Sequence, residues 1–104
     1  MTITINQAIE ALNRYFDAEI GQKATGAKKF MVYFVWGTYA NKLPTILAPF
    51  TAEDNTINVD VVYAAAKEAY TKSGPITIAG ITFNDRDIET LYSYMKEAGY
   101  NVQN

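Results

Sequence analysis

Along three separate stretches of this chain, apolar residues recur every three to four positions, and a glycine follows each stretch. Ile5, Ile9, Leu12, Phe16 and Ile20 predict a helix over residues 6–20, with Gly21 closing it in the left-handed region. Val59, Val62, Tyr63, Ala66, Ala69 and Tyr70 share a second face, behind Asn58 as cap and ahead of the stop at Ser73-Gly74-Pro75. Ile88, Leu91, Tyr92, Met95 and Ala98 form a third stripe. Asn84 opens it, Asp85 and Asp87 suit the positive end of the helix dipole, and Gly99 closes it.

Between the stripes the pattern changes. Thr2-Ile3-Thr4-Ile5 alternates polar and apolar residues of β-branched type, as a short strand does. Phe30 to Trp36 is apolar on both parities, which predicts a central strand over 29–37 covered on two faces. Leu43 to Phe50 reads as an edge strand or irregular segment, because Pro44 and Pro49 cannot donate ladder hydrogen bonds. Ile76 to Phe83 reads as one strand, with a bulge or close backbone approach at Gly80.

The expected fold is therefore a single α+β domain over residues 1–104 in the order (β)-α-β-β-α-β-α. One small sheet of three to four strands packs with three helices. Residues 2–83 follow the order of a ferredoxin-like split βαβ, with a C-terminal helix added. The order fits better than the polarity, since that fold would put the proline-bearing strand at the centre.

A local phrase repeats at each helix start: Thr4-Ile5-Asn6, Thr56-Ile57-Asn58 and Thr82-Phe83-Asn84. Asparagine caps backbone N–H groups, and the apolar residue before it can pack on the first buried turn. Convergent capping accounts for the repeat without a duplication.

Composition excludes several chemistries. The chain has neither cysteine nor histidine, so thiolate nucleophiles, disulfides, zinc fingers and His-dependent hydrolase triads are absent. No basic, hydrophobic leader opens the sequence, and its longest apolar run is far below the ~20 residues that span a bilayer. A cytoplasmic protein is expected, without membrane association.

No cofactor or metal site is expected either. Gly21-x4-Gly26-Ala27-Lys28 resembles a phosphate loop, but its lysine is one place late and it follows a helix instead of preceding one. Asp85, Asp87 and Glu89 alternate, so on a helix they diverge and do not chelate jointly.

Two features remain. Residues 22–50 carry Lys23, Lys28, Lys29 and Lys42 with no acid, whereas residues 51–104 carry four bases against eight acids. The chain also holds eight tyrosines, five phenylalanines and one tryptophan, more rings than a core of this size hides. Tyr39, Tyr94 and Tyr100 fall off the apolar stripes, and exposed tyrosines favour interfaces. These three tyrosines and four lysines are the expected partner-binding residues.

By elimination, a small non-enzymatic module that binds and occupies a protein partner is expected, in the manner of an inhibitor or regulator of a host system. Its tyrosine and asparagine surplus suits AT-rich coding in a phage or mobile element, and a homodimer is an allied expectation. The alternative is nucleic-acid binding through the basic segment 22–42, where lysines flank aromatic residues. A small enzyme using Asp, Glu, Lys or Tyr comes third.

Overall fold

The structure, a computed structural model, describes residues 1–78 and 81–100. In chain order it runs β1 (Thr2–Thr4), α1 (Ile5–Phe16), a π-helical turn (Asp17–Gly21), α2 (Gly26–Ala40), α3 (Leu43–Leu47) and a 3-10 turn (Ala48–Phe50). There follow β2 (Thr56–Asn58), α4 (Val59–Ser73), β3 (Ile76–Ile78), β4 (Ile81–Phe83) and α5 (Asp85–Tyr100).

This is a helical protein with two small ribbons, which overturns the expected sheet of three to four strands packed with three helices, and the ferredoxin-like arrangement with it. β1 pairs antiparallel with β2, placing Ile3 opposite Ile57. β3 pairs antiparallel with β4, placing Ile76 opposite Phe83. The single strand expected over 76–83 is thus replaced by two strands, 76–78 and 81–83, paired with each other; Gly80, where a bulge was expected, lies outside the described residues.

The largest correction concerns 29–37, which is the middle of α2. Helix propensity separates aromatic and β-branched residues from good helix formers by only tenths of a kcal/mol each, so tertiary contacts decide. Here Val32 is fully buried, Trp36 stacks on Phe16, and Tyr33 meets Phe16 edge-on with ring centroids 5.5 Å apart. The extended reading of 43–50 fails for a different reason. Pro44 and Pro49 stand in the first turns of α3 and the 3-10 segment, where a missing N–H breaks no intrahelical bond.

The other three helices follow their sequence signals. Thr4 caps α1 in a reciprocal box: its hydroxyl accepts from the Gln7 N–H, and the Gln7 side chain accepts from the Thr4 N–H. Asn58 caps α4 by accepting from Asp60 N–H at 3.0 Å. Asn84 does the same for α5 through Arg86 N–H, and Asp87 accepts from the Asn84 N–H at 2.8 Å. Gly74 ends α4 with φ of 71°.

Gly21 and Gly99 serve other purposes than closing helices in the left-handed region. Gly21 has no positive φ; the Tyr33 ring occupies the space that a Cβ would need. Gly99 lies inside α5, where a Cβ would stand 2.9 Å from Ile3 Cγ2 on β1.

The core joins Ile3, Ala8, Ala11, Leu47, Ile57, Val59 and Met95, so the β1–β2 ribbon is sealed against α1, α3, α4 and α5. α4 and α5 are further tied by stacked Tyr63 and Tyr92 rings and by Lys67, which reaches both Asp85 and Glu89. No helix among the described residues is long and apolar enough to cross a membrane.

Candidate functional site

From residue 30 to residue 37, α2 is apolar around its whole circumference, the pattern of a helix buried on every side. Only one side is covered. At 100° per residue, Phe30 and Phe34 stand one above the other with Met31 beside them. These three are 85%, 78% and 57% exposed, although a phenylalanine gains ~1.5–3 kcal/mol by burial.

The opposite side is held firmly. The Trp36 indole lies on Phe16 and donates to Asn13 Oδ1 at 2.8 Å. The Tyr33 hydroxyl donates to the Asp17 carboxylate. That bond, helped by Gln22, lowers the Asp17 pKa, and against Gln22 it raises that of Tyr33. The helix therefore cannot roll its phenylalanines inward without breaking the contacts that seat it.

Lysines flank the helix along the chain, and at 100° per residue Lys28 and Lys29 stand roughly 100–160° around it from Phe30 and Phe34. Lys28 and Lys29 occupy the first turn of α2, Lys23 lies just before it, and Lys42 follows its last turn. Lys23 also pairs with Glu19 at 3.3 Å, and its ammonium stays largely in solvent. Tyr39 is exposed at the far end of the same helix.

The other two tyrosines of the expected set lie elsewhere. Tyr94, on α5, packs edge-on against Tyr15 with centroids 5.8 Å apart and donates to Glu19 Oε2 at 3.1 Å. Burial, followed by that carboxylate, raises its pKa. Tyr100, in the last turn of α5, is open to solvent. The structure thus brings the four lysines and Tyr39 around α2 and leaves Tyr94 and Tyr100 on a different helix. Phe30, Met31 and Phe34 were missed because a strand covered on both faces was expected to bury them. The spacing of Val32, Trp36, Tyr39 and Leu43 (4, 3 and 4) is the signal that separates an inner helical face from an outer one.

Behind α2 lies a cavity of about 460 Å³ between α1, α3, α4 and α5. Val32, Val35, Trp36 and Tyr39 form its α2 wall, and Ala65, Ala66 and Ala69 form its α4 wall. A second chamber of about 180 Å³ adjoins it between α1 and α5 and reaches Tyr15 and Asp87. Tyr15 is buried there with its hydroxyl 3.5 Å from Asp87 Oδ1; burial, then this carboxylate, pushes its pKa up.

The outer side of α2 therefore presents Phe30, Met31 and Phe34 to solvent as one apolar contact area. Comparison of the chain with protein-family models, with curated proteins and with solved structures returns no match.

Proposed function

We propose that this chain is a binding module that seats the outer face of α2 in an apolar groove of a protein partner with an acidic rim, and acts by occupying that groove. The observation that carries this reading is the pair Phe30 and Phe34, held in solvent at adjacent helical turns while the inner side of the helix is clamped. Anchors spaced by one turn are how an amphipathic helix engages a groove. The partner's rim is assigned by charge, since every charged residue from 22 to 50 is a lysine.

Nucleic acid would also meet lysines beside exposed rings on this helix. Met31 between the two phenylalanines, and the lack of arginine in this segment, favour a protein groove.

The test uses tagged wild-type chain and two double variants, Phe30→Ser with Phe34→Ser and Lys28→Glu with Lys29→Glu, for capture from lysate of the native host with and without nuclease. The proposal expects one stoichiometric protein that survives nuclease, is lost with both variants and is released by salt. It is overturned if that protein persists on the phenylalanine variant, or if only nucleic acid or membrane vesicles are recovered. It also fails if sedimentation shows that the face is used to pair two copies of this chain.

A further inference from the structure

The larger cavity behind α2 has walls of one chemical kind. Val32, Val35 and Trp36 line it from α2, and Ala65, Ala66 and Ala69 from α4. Among the described residues no charged side chain lines it; Asp87 and Tyr15 border only the smaller chamber alongside. The Trp36 indole N–H is already given to Asn13 Oδ1, which leaves the Tyr39 hydroxyl as the other polar side-chain group on the wall. Tyr39, Ile46 and Phe50 line the cavity and are also exposed, which places its entrance between the end of α2 and the segment from α3 to the 3-10 turn.

The α4 wall is alanine at three positions, and each alanine reaches only one carbon into the space. α2 is seated on α1 instead, through the Trp36–Phe16 stack and the Tyr33–Asp17 bond. Residual cavity volume destabilises in proportion to its size, and at about 460 Å³ the loss rivals the whole stability of a small domain. Water does not relieve it, because a buried water needs about two to four polar partners and this wall does not offer them.

We infer that this cavity is a binding site for an uncharged, hydrocarbon-bodied small molecule of about two or three fused rings. An apolar void of roughly 150 Å³ stays dry and takes one benzene, and this one is about three times as large. Its volume of about 460 Å³ also lies within the roughly 300–1,000 Å³ of small-molecule sites. A charge of either sign is rejected, since nothing on the wall replaces the water that an ammonium or a carboxylate would lose. The site is separate from the outer face of α2: none of Phe30, Met31 or Phe34 lines it.

Trp36 is the chain's only tryptophan and borders the cavity, so its fluorescence reports occupancy. The probe is the neutral dye N-phenyl-1-naphthylamine, which is expected to quench Trp36 saturably at one molecule per chain and to raise the thermal midpoint. Benzene, naphthalene and phenanthrene should displace it with affinity rising about five- to tenfold per added ring, as the buried apolar area grows. The charged analogues 1-naphthoate and 1-naphthylmethylammonium should fail to displace it at roughly a hundredfold the naphthalene concentration. Ala66→Phe, which fills the cavity, should abolish probe binding and raise the thermal midpoint of the unliganded chain. If that variant fails to fold, Ala66→Leu should weaken binding. Phe30→Ser with Phe34→Ser should bind the probe as wild type.

The proposal is overturned if Trp36 does not respond up to probe solubility, or if either charged analogue displaces the dye as well as naphthalene does. Full affinity in an Ala66 variant with native circular dichroism overturns it as well. So does loss of binding in the outer-face variant, because the dye would then lie on the outside of α2. None of these readouts involves capture of a protein, so this site and the proposed function fail separately.

Discussion

Trp36 lies flat on Phe16, with ring centroids 4.7 Å apart and planes 6° apart, and this stack joins the inner side of α2 to α1. The cavity behind α2 leaves few other contacts to hold that helix at its middle. Trp36→Ala is therefore expected to cost about 3 kcal/mol, read as a lowered urea midpoint. Trp36→Phe keeps a ring on Phe16 and should cost less than half as much. Equal losses in the two variants would mean that the stack does not seat the helix.

Gly99 and Gly37 make an opposed pair. Both stand inside helices, where alanine is intrinsically better by ~1 kcal/mol. A Cβ at Gly99 would press on Ile3 and Met1, whereas at Gly37 it meets nothing within 4 Å. Gly99→Ala should destabilise by about 1–2 kcal/mol despite its better propensity. Gly37→Ala should stabilise by about 0.5–1 kcal/mol, and thermal unfolding of the two variants side by side checks both signs.

The three helix-start phrases are distinguishable by mutation. Asn58 caps α4, whereas the cap of α1 is Thr4, with Asn6 already inside the helix. Asn58→Ala is expected to cost about 1 kcal/mol and Asn6→Ala less than about 0.5 kcal/mol, by chemical denaturation.

Alkaline pH should unfold the chain in part through Tyr15. Burial, with Asp87 nearby, raises its pKa in the folded state above the usual value of about 10. The unfolded chain then loses this proton first. The stabilisation is whole below pH ~10 and falls as pH rises toward the folded value, by at most about 1.4 kcal/mol per pH unit for one group. Urea midpoints measured as pH rises above 10 should fall less steeply for Tyr15→Phe than for wild type; parallel curves would count against it.

The outer face of α2 should contribute little to folding. Replacing Phe30 and Phe34 by serine is expected to change stability by no more than about 0.5 kcal/mol for each residue, while raising the concentration at which light scattering first increases. A large loss of stability would show that these rings pack in solution.

Three helices were legible because their signals agree at two levels. The stripe of α4 is bracketed by a capping asparagine and a Gly-Pro stop, and that of α5 by Asn84 with two acids in its first turn. α1 was legible as a helix, although it gives way to a π-helical turn after Phe16, and it was misread in its cap, since Thr4 and Asn6 both suit the role and only the Gln7 reciprocal bond selects Thr4. α2 was not legible. A run apolar on both parities has no period to read, and the inference that both sides are covered fails for a helix whose outer side is left in solvent. The prolines of 43–50 misled because proline marks a strand edge and a helix first turn equally well. Of the expected partner-binding residues, the four lysines and Tyr39 fall on or beside α2, whereas Tyr94 and Tyr100 stand on α5. Phe30 and Phe34 were hidden by the same error that made α2 a strand.

α2 borders the cavity and faces solvent along the same fifteen residues. A helix placed in this way is a point of thermodynamic linkage: whatever steadies its inner side removes part of the ordering entropy that the proposed docking of its outer side must still lose. Linkage is reciprocal, so docking on Phe30 and Phe34 would favour filling of the void by the same factor by which filling it favours docking.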